Sequence, residues 1–86
     1  MDKLEKILKA LANRRRLAIV RYLLDGRRMP VGDIAEKIDL SFKATSKHLN
    51  ILHGADILER EQKGPNMYYE IAANAEKTTE AILKLL

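Results

Sequence analysis

The spacing of the apolar residues changes once along this chain, and the change limits the folds that the chain can adopt. As far as Gly54, most apolar residues recur at intervals of three and four, the spacing of amphipathic helices. Residues 57–62 indicate a strand, and after a turn Met67, Tyr69 and Ile71 alternate with Tyr68 and Glu70, which is typical of a half-buried strand. From residue 74 the helical spacing returns. The pattern predicts a mainly α fold with one β-hairpin, in the order four helices, two strands and a fifth helix.

Residues with special backbone preferences divide the first part of the chain. The first helix covers residues 3–12, and Asn13, a favourable N-cap, begins the second. Gly26 ends the second helix, because glycine readily adopts the left-handed conformation found after helix C-termini. Pro30 disfavours helix in the residue before it, so residues 29–31 are predicted to be extended.

The third and fourth helices are short, adjacent and joined by only a few residues. They are predicted over about 31–38 and about 41–53, with Ser41 as a strong N-cap for the fourth. Two short helices connected in this way are typical of the helix-turn-helix motif. The hairpin, over about 57–71 with a turn at 63–66, follows directly and would form a wing. The sequence therefore predicts a single winged helix-turn-helix domain over residues 1–86.

The N-terminal end of the fourth helix has the composition of a DNA-reading surface. The second helix of such a motif enters the major groove, where small or polar side chains approach base edges and phosphates closely. Lys43 and Lys47 are one turn apart and share a helix face. Either Ala44 or Thr45 would begin the inward row that continues to Leu49. The predicted DNA contacts are Ser41, Phe42, Lys43, Ala44, Thr45, Ser46 and Lys47.

Phe42, at the first helical position, has two interpretations. Its ring could contact a thymine methyl group, or it could pack as a lid on the third helix. The groove-facing role is favoured, because Leu40 already serves the core.

Two cations outside the fourth helix extend the predicted interface. Lys63, at the wing tip, could reach the minor groove or flanking phosphates, and Arg28 could bind the DNA backbone. Charge does not decide these cases. Residues 41–71 carry four basic and four acidic residues, whereas the first 40 carry ten basic and six acidic ones. For both side chains, DNA contact and plain solvation stay open.

Two other polar features favour structural roles. The run at 14–16 could bind phosphate, but a solvated face with one structural ion pair is favoured. His48 and His53 are five residues apart, whereas two histidines on one helix need a spacing of three or four to share a metal. We expect His48 to form a hydrogen bond within the helix-turn-helix motif instead.

Composition excludes several classes of function. Cysteine is absent, so disulfides, thiolate metal sites and thiol redox sensing are excluded. The net charge of +4 favours a polyanionic partner only weakly. Apolar runs are far too short to span a membrane, which suggests a cytoplasmic protein. No nucleophile–base arrangement, glycine-rich phosphate loop or paired carboxylates are recognisable, so neither an enzyme nor a cofactor is expected.

Several segments, taken in order, resemble the ArsR-type transcriptional regulators. The segments that carry the resemblance are 8–13, 16–19, 31–35, 40–41, 46–49, 54–58 and 68–71. The resemblance implies a homodimer that binds an inverted-repeat operator and represses transcription. It also implies that the first and fifth helices form the dimer interface. Many members sense metals through cysteines on the third helix or Asp and His on the fifth. This chain has neither set, so no metal site carries over and the effector is unknown.

Apolar stripes on the two outer helices, 3–12 and 74–86, support a dimer independently. So small a domain cannot easily cover both stripes. The alternative is that they complete the core of one monomer. The predicted interface consists of Leu4, Ile7, Leu8, Leu11, Ile82, Leu85 and Leu86. Two other functions stay open at this point: an architectural nucleic-acid binder without sequence preference, and a winged helix that binds only protein.

Overall fold

The computed structural model describes residues 2–86, and its elements follow the predicted order with one additional strand. The sheet is antiparallel with strand order β1-β3-β2. The winged helix-turn-helix architecture predicted from the sequence is confirmed. The elements are α1 (Asp2–Leu11), α2 (Arg14–Leu23), β1 (Met29–Pro30), α3 (Val31–Lys37), α4 (Phe42–Gly54), β2 (Leu58–Lys63), β3 (Asn66–Ile71) and α5 (Lys77–Leu83).

Both predicted N-caps are confirmed by hydrogen bonds. The side-chain oxygen of Asn13 accepts from the backbone amides of Arg15 and Arg16, at 2.9 and 3.1 Å. The hydroxyl of Ser41 accepts from the amide of Ala44 at 3.1 Å. Each cap satisfies amides that the first turn of a helix leaves without partners. These two caps fix where α2 and α4 begin.

The helix ends differ in detail from the prediction. Gly54 is the last residue of α4, but the left-handed residue is Asp56, with φ of 59°. Asp39, between α3 and α4, has φ of 54°. Aspartate tolerates this conformation better than most residues with a Cβ atom. Gly26 does adopt a positive φ of 79°, although α2 itself ends three residues earlier, at Leu23.

The strand β1 is a finding that the sequence did not predict. Residues 29 and 30 are extended, as expected, but they also pair with β3, Met29 opposite Tyr69 and Pro30 opposite Tyr68. Proline has no N–H to donate and is tolerated here because β1 is an edge strand. This pairing joins the segment before α3 to the wing, so the motif and the wing share one framework.

The helix α5 is shorter than the predicted 74–86. It begins at Lys77 and ends at Leu83. Ile82 and Leu83 are half-buried and pack against the core. Leu85 lies beyond the helix and is 83% exposed. Within residues 2–86, no helix has both the length and the apolar character needed to cross a bilayer.

The core lies between α4 and the helices that surround it. Ile7 and Leu11 belong to this core, with only 1% and 5% of their surface exposed. They were predicted to lie in a dimer interface, and that prediction is wrong. Because α1 packs against α2 and α4, its inward face is already buried within one chain and cannot contact a second copy. The fully buried side chains of the core include Ile19, Leu23, Ile34, Leu49, Leu52 and Ile57.

Candidate nucleic-acid interface

The helix α4 has one buried face and one exposed face. Lys43, Lys47 and Asn50 stand at i, i+4 and i+7 and are all exposed. Leu49 and Leu52, on the opposite rows, are fully buried. The packing of α4 therefore presents a polar row to solvent along most of the helix.

Thr45 lies on the buried face of α4. Its exposed fraction is 0%, so its side chain cannot contact DNA and the sequence prediction for this residue is wrong. The cause is helical spacing, because Thr45 is four residues before Leu49 and shares its row. Within residues 2–86, its hydroxyl oxygen has no hydrogen-bond partner. The neighbouring Ala44 and Ser46 are half-buried at the edges of the exposed face.

Phe42 does not pack as a lid. The residue is 63% exposed at the first position of α4, beside Lys43. Its aromatic ring is thus available to a partner, and contact with a thymine methyl group stays a prediction.

Arg16 connects α1 and α2 to α4. Its Nε donates to the carbonyl oxygen of Ala10, and its Nη2 donates to that of Lys9 at 3.2 Å. Its Nη1 lies 3.2 Å from Nδ1 of His48. His48 does have a structural contact, but with α2 rather than within the helix-turn-helix motif as expected. The structural ion pair predicted for residues 14–16 is replaced by hydrogen bonds to carbonyl oxygens and to a histidine.

Burial and the neighbouring arginines favour the neutral form of His48. Guanidinium groups only donate, so Nδ1 must accept and the imidazole must be neutral. Burial, followed by the positive charges of Arg16 and Arg15, lowers the pKa of His48 from its ordinary value. The folded chain thus binds a proton at His48 less readily than the unfolded chain does.

We expect the free energy of unfolding to fall as the pH drops. In the unfolded chain His48 takes up a proton near its ordinary pKa of 6.5, whereas the folded chain resists protonation to lower pH. The contribution is therefore complete above that pKa and is lost below it. Urea unfolding between about pH 8 and about pH 5 measures the effect. His48→Gln should reduce this pH dependence and the matched variant His53→Gln should keep it; an unchanged slope in His48→Gln would contradict the assignment.

Arg28 has two carboxylate partners on the wing. Its guanidinium forms an ion pair with Glu61, and its Nε lies 3.2 Å from a carboxylate oxygen of Glu70. Glu70 also stands directly opposite Glu59 across the strands, an unfavourable placement of like charges that Arg28 offsets. The DNA contact of Arg28 stays a prediction, and a phosphate would have to compete with these two carboxylates.

Two residues of the interface region were missed by the sequence reasoning. Arg60, on β2, donates from Nη1 to the side-chain oxygen of Asn50 at 3.1 Å and to the hydroxyl of Tyr69 at 3.4 Å. This contact joins the wing to the C-terminal half of α4. Asn50 could have been found from its spacing to Lys43 and Lys47, whereas nothing local indicates the role of Arg60.

The wing tip leaves Lys63 exposed. Lys63 pairs with Asn66 across a two-residue turn, and Gly64 has φ of 60° at the first central position, as in a type II′ hairpin turn. Among residues 2–86, Lys63 has no acidic partner within 4.0 Å. Lys63 is therefore an exposed cation at the wing tip.

A second surface is apolar. Leu4, Leu8 and Ala12 line a shallow groove along the outer face of α1, where Leu8 is 47% exposed. Leu85 and Leu86 are exposed after α5. In the described part of the chain, no three histidines or carboxylates are arranged to hold a metal ion.

The whole helix-turn-helix motif lies inside a match to a known family model. Residues 13–60 match the model described as bacterial regulatory protein, arsR family. The chain belongs to the ArsR family. It is thus a transcriptional regulator with a winged helix-turn-helix fold, and the resemblance seen in the sequence is confirmed. The match includes α2, α3 and α4 and ends within β2.

Individual relatives agree with this assignment. The chain is 37% identical to the transcriptional repressor SdpR of Bacillus subtilis, over 79% of this chain and 74% of the relative. It is 32% identical to the transcriptional activator HlyU of Vibrio cholerae, over 93% and 70%. A similar solved structure is the homodimeric winged helix-turn-helix DNA-binding domain Mb0332 of Mycobacterium bovis. That structure has a TM-score of 0.83 and 28% identity, and the match covers 98% of this chain and 74% of the other.

Proposed function

We propose that this regulator binds double-stranded DNA sequence-specifically and reads the major groove with α4. The observation that carries the proposal is the exposed row of Lys43, Lys47 and Asn50, which begins at a capped helix N-terminus. The row is flanked by Ser41, Phe42, Ala44 and Ser46. Polar or small side chains suit contacts with base edges, and the ring of Phe42 suits a thymine methyl group. Binding rather than catalysis is the activity, and its place is the cytoplasm.

The regulator acts as a homodimer in this proposal. The apolar face formed by Leu4 and Leu8 on α1, with Leu85 and Leu86 beyond α5, has no cover within one chain. The homodimeric state named for Mb0332 supports a second copy as its partner. A twofold dimer presents two copies of α4, so the preferred site is an inverted repeat with half-sites one helical turn apart, or a multiple of it.

Repression is the proposed direction of control. The relatives include the repressor SdpR and the arsenical resistance operon repressor, both of Bacillus subtilis, but also the activator HlyU. A compact dimer that covers a promoter excludes the polymerase by volume alone, without a further contact. Transcription in vitro from a promoter that contains the selected site distinguishes the two directions.

Selection of bound duplexes from a random library tests DNA binding directly. We expect one symmetric motif, bound at least about 10³-fold more tightly than random DNA. Equal affinity for all duplexes would favour an architectural binder. An affinity for DNA that does not change with salt would favour a protein-binding module. A DNA binder that neutralises about six phosphates should instead show a log–log slope of affinity against salt concentration of about −5.

Lys43→Ala tests the reading role of α4. We expect a loss of about 1–3 kcal/mol of binding free energy, with relaxed preference at one position of the site, because a lysine that contacts a base also discriminates it. Titrations on the selected site and its single-base variants measure both effects. Lys77→Ala, an equal change of charge on α5, is the matched control and should bind as the unmodified chain does. An equal loss of affinity on every sequence would indicate that Lys43 contacts a phosphate. No loss would show that Lys43 lies outside the interface.

A further inference from the structure

A basic groove lies between the start of α2 and the end of α3. Its volume is about 320 Å³, and Ala18 and Ile38 are among the residues that line it. Three cationic side chains, Arg14, Arg15 and Lys37, stand around it. We call this feature the α2–α3 groove.

The cations of the α2–α3 groove have no acidic partners. Among residues 2–86, none of Arg14, Arg15 and Lys37 lies within 4.0 Å of a carboxylate, whereas Arg27 and Arg28 are both in ion pairs. Arg15 uses one nitrogen, Nη1, to donate to the carbonyl oxygen of Ile38 at 3.2 Å. Its other donors remain free. The groove therefore concentrates positive charge that nothing in the described chain neutralises by direct contact.

The groove borders the N-terminal end of α4. The Arg15 contact fixes one wall at Ile38, only three residues before Ser41. Three residues span at most about 10 Å, so the groove lies within that distance of the helix start. Because the duplex rises about 3.4 Å per base pair, a phosphate in this groove would lie within about three base pairs of the bases next to the start of α4.

Residues 41–71 carry no net charge, so basic residues beside them would add to the attraction for phosphates. Arg28 is held by Glu61 and Glu70, so it adds no free charge. Phosphate neutralisation supplies most of the affinity that does not depend on sequence, so unpaired cations beside α4 would add to what Lys43, Lys47 and Lys63 contribute. The α2–α3 groove is an unpaired basic feature whose wall at Ile38 lies three residues before Ser41.

We propose that the α2–α3 groove binds a phosphodiester of the DNA backbone next to the half-site read by α4. This inference rests on the proposed function. Arg14 and Lys37 supply charge, and Arg15 supplies directed donors from a position that Ile38 holds fixed. The contact orients α4 on the duplex without reading sequence, as phosphate contacts do.

Salt titration of single variants measures the contact. Arg14→Gln and Lys37→Gln remove charges that make no side-chain hydrogen bond or ion pair within the described chain, so both should fold normally. Each should reduce the log–log salt slope by about one, and affinity should fall by the same factor on the selected site and on random DNA. Lys77→Gln is the matched control, because Lys77 lies far from the groove. Its neighbour Glu76 forms an ion pair with Lys3. Lys3 lies about 15 Å along α1 from Asn13, which borders the groove.

Ethylation interference locates the contact on the duplex. Ethylating one phosphate within about three base pairs of the half-site should weaken the unmodified protein. The double variant Arg14→Gln/Lys37→Gln should be insensitive at that position. Unchanged salt slopes and an unchanged interference pattern, with specific binding retained, would show that the α2–α3 groove does not bind a phosphate. The proposed function would then still stand. Failure of the unmodified protein to bind any duplex would instead overturn the proposed function.

Discussion

Leu8→Glu should convert the proposed dimer into a monomer and weaken binding to a two-half-site operator by about 10²–10⁴-fold. Burying a leucine contributes about 1.5–3 kcal/mol, and the twofold axis repeats the change on the partner copy. The new carboxylate would also be desolvated in the interface close to Glu5, one turn earlier, which already pairs with the neighbouring Lys9. Sedimentation measures the oligomeric state, and titration on one and two half-sites measures the loss of avidity.

Leu24→Glu is the matched control for this experiment. Leu24 is 38% exposed, which is close to the 47% of Leu8, but it follows α2 and lies outside both outer helices. The same substitution there should leave the dimer and its DNA affinity unchanged. A dimeric Leu8→Glu protein would show that the face of α1 is not the interface. Dissociation in both variants would indicate a general loss of stability instead.

Local features were predictable from the sequence because local physics decides them. The caps at Asn13 and Ser41 depend on amides two or three residues away. The change from helical to alternating spacing reflects burial on one face, which each element shows within its own residues. These signals were enough to place five helices, the hairpin and the helix-turn-helix motif in the correct order.

The features that were missed depend on residues far apart in the chain. Arg28 meets Glu61 across 33 positions, and no local pattern distinguishes it from a free cation. The strand β1 has two residues, too few to show alternation, and is defined only by its pairing with Tyr68 and Tyr69. The first contact gives Arg28 a carboxylate partner, and the second attaches the wing to the helix-turn-helix motif.

The direction in which a helix faces is the third thing that the sequence left open. Ala44 and Thr45 both fit the start of the inward row of α4, and packing selected Thr45. The apolar stripe on α1 is wide enough to cover two faces of the helix. Ile7 lies on the face that packs into the core, and Leu8 lies on the face exposed to solvent. Spacing alone identifies an apolar stripe, but only the positions of neighbouring elements show which edge of it is covered.

Arg16→Ala should lower the free energy of unfolding by about 2–4 kcal/mol. Hydrogen bonds that involve a charged group contribute about 1.5–3 kcal/mol each, and the partial exposure of Arg16 reduces that figure. The substitution also leaves the carbonyl oxygens at the end of α1 without their cationic donor. A domain of this size has about 4–13 kcal/mol in total, so the loss is a large fraction. Urea unfolding measures it.

Arg14→Ala is the control, because Arg14 lies two residues away in the same helix and makes no side-chain hydrogen bond within the described chain. Its effect on stability should stay within about 0.5 kcal/mol. A second readout separates the roles further. The pKa of His48, measured by NMR titration, should rise in Arg16→Ala, because one of the charges that lowers it is gone, and should remain below its ordinary value, because burial is the larger cause. Equal stability of the two alanine variants would show that Arg16 is merely solvated, whereas the expected difference identifies it as the residue that holds α1, and with it the proposed dimer face, against α4.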